Sequence, residues 1–90
     1  GDFPRMNMST TTIYLVMQDN GSYDGGASVE GCYETLTEAV ASAAEMAKSA
    51  GYSFDADLGL WADLHVEADI SVRELQVGVA MAPKEVRVTL

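Results

Sequence analysis

Between Thr35 and Gly51 the chain carries a start signal, a stop signal and an alanine-rich stripe, and this segment constrains the fold more than any other. Thr35-Leu36-Thr37-Glu38 has the T-x-x-E spacing of a capping box, in which the Thr oxygen accepts from the N3 amide and the Glu carboxylate reaches back to the cap. Leu36, Ala39, Val40, Ala43, Ala44 and Ala47 follow at three- and four-residue steps, while Glu38, Ser42, Glu45 and Ser49 fall elsewhere on the wheel. Lys48 suits the negative end of the helix dipole, and Gly51 is placed to take the left-handed conformation that ends the helix. Methyl-sized side chains let such a helix sit close to a sheet.

The flanking segments have strand character. Thr11 to Gln18 is β-branched, aromatic and apolar on both faces, with Ile13, Leu15 and Met17 on one and Tyr14 and Val16 on the other, which predicts a central strand. Asp19 to Ser28 is dense in Gly, Asp, Asn and Ser and reads as a hairpin connection. Ser28 to Glu34 reads as the returning strand, with Val29, Gly31 and Tyr33 on one face. From Leu58 to Val72 apolar residues alternate without interruption. Leu58, Leu60, Ala62, Leu64, Val66, Ala68, Ile70 and Val72 form one side; Trp61, Asp63, His65, Glu67, Asp69, Ser71 and Arg73 form the other. The phase slips at Arg73-Glu74, where a bend is expected before Leu75, Val77 and Val79. After a proline turn, Glu85 to Leu90 alternates again as an edge strand. The fold class is therefore α+β, with a single helix on one face of a mainly antiparallel sheet and the order β-β-α-β-β-β.

Ninety residues suffice for one modest core, and 48% hydrophobic against 21% charged residues is globular composition. Residues 1–8 read as a leader, with Gly1 to Arg5 in the manner of a cloning scar and Met6 or Met8 as natural starts; residues 9–90 read as a single domain. Five Lys and Arg against fourteen Asp and Glu give a net charge of -9, which repels phosphate backbones and anionic membranes and attracts basic surfaces. One cysteine, Cys32, forms neither an internal disulfide nor a thiolate metal site. A cytoplasmic protein that binds neither nucleic acid nor membrane is the expectation.

A single helix leaves the second sheet face open. The alternation assigns to it Tyr14 and Val16 and then Trp61, ringed by Asp63, His65, Glu67 and Asp69: aromatic anchors inside a charged rim, as at a protein interface. With Asp55 and Asp57 before them, Asp63, Glu67 and Asp69 would stand roughly 6–7 Å apart along one strand, near the spacing of adjacent phosphates on one DNA strand. Such a row either imitates a nucleic-acid backbone or is a solvated outer face.

The enzyme motifs fail one by one. His65-Val66-Glu67 has the H-x-E of zinc deaminases without their P-C-x-x-C ligands. The loop Asp19 to Gly26 lacks both the calcium-loop spacing and the G-K-[ST] of a phosphate loop. Cys32 lies between Glu30 and Glu34, which discourages a thiolate, and reads as structural. No cofactor is implied.

The succession Ile13-Tyr14-Leu15-Val16, a glycine-rich loop, Val29-Glu30-Gly31-Cys32-Tyr33 and Thr35-Leu36-Thr37-Glu38-Ala39 resembles small uncharacterised phage and bacterial proteins over about residues 11–79. The resemblance implies no catalytic residues. In size and acidity the chain also resembles phage-encoded inhibitors, anti-CRISPR proteins among them. The expected function is a non-enzymatic, acidic binding module that presents Tyr14, Trp61, Asp63, His65, Glu67 and Asp69 to a basic, nucleic-acid-handling protein. The alternatives are a self-associating, homodimeric structural or ligand-binding module and, third, a small hydrolase or metal enzyme.

Overall fold

The computed structural model describes residues 11–21, 26–63 and 65–90. The expected leader, the middle of the first loop and Leu64 lie outside the described residues. Seven elements follow one another: β1 (Thr11–Asp19), β2 (Ser28–Tyr33), α1 (Leu36–Ala50), β3 (Ser53–Asp55), β4 (Leu60–Asp63), β5 (Ala68–Val77) and β6 (Lys84–Val86). The strands form one antiparallel sheet in the order β2-β1-β5-β4-β3. β6 joins the same edge of β5 as β4: Ala68 to Ile70 pair with β4, and Val72 to Glu74 pair with β6. One helix on an antiparallel sheet is the expected α+β architecture, with one strand more after the helix than the expected order β-β-α-β-β-β.

The helix begins and ends where its local chemistry dictates. Thr35 holds an extended conformation (φ -127, ψ 151), and its Oγ1 accepts from Glu38 N at 3.1 Å. Glu38 Oε1 accepts from the Thr35 hydroxyl at 3.0 Å, where the sequence motif predicts a bond from the backbone amide of the cap. Gly51 is left-handed (φ 81, ψ 22). Its N–H donates to Lys48 O at 3.3 Å and Tyr52 N–H to Ala47 O at 2.8 Å, the paired bonds of a Schellman end. Ala39, Ala43 and Ala47 are fully buried, so the predicted stripe is the packing face, while Leu36 at its start is exposed.

Directly paired residues of an antiparallel ladder share a face, so register decides what the helix covers. Val16 pairs with Val72, Tyr14 with Tyr33, and Trp61 with Ile70. With Val88 and the three alanines, Val16, Trp61, Ile70 and Val72 make the core, and Tyr14 and Tyr33 pack against it.

Two features separate this sheet from its sequence reading. The unbroken alternation from Leu58 to Val72 is not one strand but the hairpin β4-β5. The chain reverses between Asp63 and Ala68, which pair with each other. Asp63 Oδ1 accepts from His65 N at 3.0 Å, Val66 N donates to Asp63 O at 3.4 Å, and Glu67 takes a left-handed φ of 55. Without Gly or Pro the turn has no compositional mark, and its reversal sets odd-numbered Trp61 beside even-numbered Ile70. The expected bend at Arg73-Glu74 is also absent, since β5 pairs with β1 without interruption from Asp69 to Val77. The slip in hydrophobic phase has another origin: β5 is a central strand with apolar residues on both faces, Ile70 and Val72 toward the helix and Leu75 away from it.

Smaller differences follow. A bulge between Val16 and Met17 leaves Gly31 and Tyr33 on the helix side but turns Val29 to the other, opposite Met17. The last strand is shorter than expected. Beyond β6, Val88 N–H donates to Gly59 O at 2.9 Å, and the Val88 side chain enters the core.

Candidate functional site

The sheet face opposite α1 is the side of the β1-β5 pair that the helix does not cover. It is built from alternate residues of β1 and β5, namely Ile13, Leu15, Met17 and Asp19 beside Leu75, Arg73, Ser71 and Asp69. Leu15, Met17 and Ser71 are buried, forming a floor; Asp19 and Asp69 stand at one end of the face, and Arg73 stands opposite Leu15, two pairs further along. Cys32 lies on this face beside Leu15, exposed and free, where the sequence reading has it structural.

The charges are arranged against one another. Asp19 and Asp69 are direct cross-strand partners, a like-charge pairing that costs stability in a sheet. Asp19 is held in place because its Oδ1 accepts from Gly21 N at 2.9 Å. Burial, then Asp19, then Glu85 push the Asp69 carboxyl above the ordinary range, and Arg73 opposes them. Arg73 faces Glu85 across the β5-β6 ladder, yet its Nε is buried without a hydrogen-bond partner. Asp69 is thus within electrostatic reach of two other carboxylates and of one incompletely satisfied guanidinium.

Because the folded pKa of Asp69 is raised, the folded state holds the proton more tightly than the unfolded chain. The stability this contributes is fully present below the unfolded carboxylate value, about pH 4, and is lost as pH rises through the folded pKa. Asp69→Asn, which imitates the protonated group, is expected to stabilise the protein at pH 7 by roughly 0.5 kcal/mol, a small value because the site is largely solvated. The gain should vanish below about pH 4, and urea unfolding at pH 7 and pH 3 checks both signs.

The six residues expected to bind a partner are divided by the fold. Trp61, 4% exposed, lies under the helix, and Tyr14 packs against the same core, so neither anchors the open face. Their burial follows from the β4-β5 reversal and from the register of β1. Asp63 ends β4 on the helix side, and His65 and Glu67 stand exposed in the turn. Only Asp69 lies on the open face, where Asp19, Glu85 and Arg73 join it. The expected row of Asp63, Glu67 and Asp69 along one strand does not form, because Asp69 pairs with Ala62 and therefore faces away from Asp63. Sequence reasoning missed Asp19 and Glu85, which reach Asp69 only through the pairing of β1 and β6 with β5.

Among the described residues, no group of three or more His, Cys, Asp or Glu side chains is placed to hold a metal ion, and no helix is long and apolar enough to cross a membrane. Compared with known proteins, the chain matches no family model, no curated protein and no solved structure.

Proposed function

We propose that this protein is a non-enzymatic binding module whose sheet face opposite α1 engages a basic protein surface. The observation that carries the reading is the Asp19–Asp69 pair with Glu85 close by: like charges opposed across a ladder destabilise the free chain. Lys or Arg side chains from a partner would relieve that repulsion, and the net charge of -9 would speed their approach. In its narrower form, the partner is a nucleic-acid-handling protein and the module its inhibitor, as in the phage-encoded proteins that the chain resembles in size and acidity. That basic surface is shaped to receive phosphates, and carboxylates can occupy it.

The test is a pull-down on immobilised protein, with captured chains identified by mass and each binding curve measured at several salt concentrations. Basic partners whose affinity falls steeply with salt are expected, and Asp19→Lys with Asp69→Lys should weaken binding at least tenfold, or about 1.4 kcal/mol. Capture of the same partners by the charge-reversed protein at unchanged affinity would refute the reading.

A further inference from the structure

We draw no further inference here: the strongest candidate, the exposed outer edge of β2 with Ser28, Val29, Glu30 and Cys32, carries nothing, since its bulge and its glutamate are devices that keep an edge from pairing and nothing among the described residues shows what would cover it.

Discussion

Trp61→Ala should lower the unfolding free energy by about 3–5 kcal/mol. The indole is 4% exposed and lies in the cluster with Val16, Ala39, Ala43, Ala47, Ile70, Val72 and Val88. It also fixes Phe54 edge-on. The fully buried helix residues around it are Ala39, Ala43 and Ala47, whose methyl groups are too short to fill the space that a lost indole leaves. A domain of this length has roughly 5–13 kcal/mol of stability in all, so the variant should sit near the edge of folding at 37 °C. Urea unfolding must be followed by far-ultraviolet circular dichroism, because Trp61 is the chain's single tryptophan. Trp61→Phe should recover much of the loss. A cost within about 0.5 kcal/mol, typical of surface positions, would place the indole on an exposed face and contradict the register of β4 with β5.

Gly59→Ala should cost about 2–4 kcal/mol from a single added methyl group. Two separate causes meet there. Gly59 has φ +71, a conformation that costs an L-residue with a Cβ about 1–2 kcal/mol. That Cβ would also meet Arg87 Cγ and come within 2.8 Å of both Arg87 Cα and Val88 N. The second cause matters because the crossing segment is backbone and cannot swing aside as a side-chain tip can. Gly59 N–H closes the β3-β4 turn on Asp55 O at 2.8 Å, and Gly59 O receives Val88 N–H at 2.9 Å, so displacement there draws Val88 from the core. Gly78 is the control: its φ is +93, but an added Cβ meets nothing within 4 Å, so Gly78→Ala should cost only the conformational part. Equal losses at the two positions would show that the crossing at Gly59 is not close. Faster hydrogen exchange at Val88 in Gly59→Ala, and not in Gly78→Ala, would tie the difference to the C-terminal segment.

These two residues also mark how far the site could be read from the chain. The capping threonine, the closing glycine and the alanine stripe were legible, as were β1 and β2, because each is decided by residues a few positions apart. The acidity was legible as a total. Its useful part was not: Asp19, Asp69 and Glu85 belong to three strands and meet only when β1 and β6 pair with β5.

By itself, then, the sequence determined an acidic α+β chain with one capped helix, its buried stripe and the strands before it, since those depend on local hydrogen bonding and periodicity. The tertiary structure alone decided which sheet face the helix covers. Alternation with a period of two shows that the sides of a strand differ but not which side meets the helix, and it persists unchanged through a turn that lacks glycine and proline. The reversal between Asp63 and Ala68 is such a turn, stabilised by the Asp63 side chain and paid for by a left-handed Glu67. It put Trp61 into the core and Asp69 on the opposite, open face, where the proposed binding surface lies.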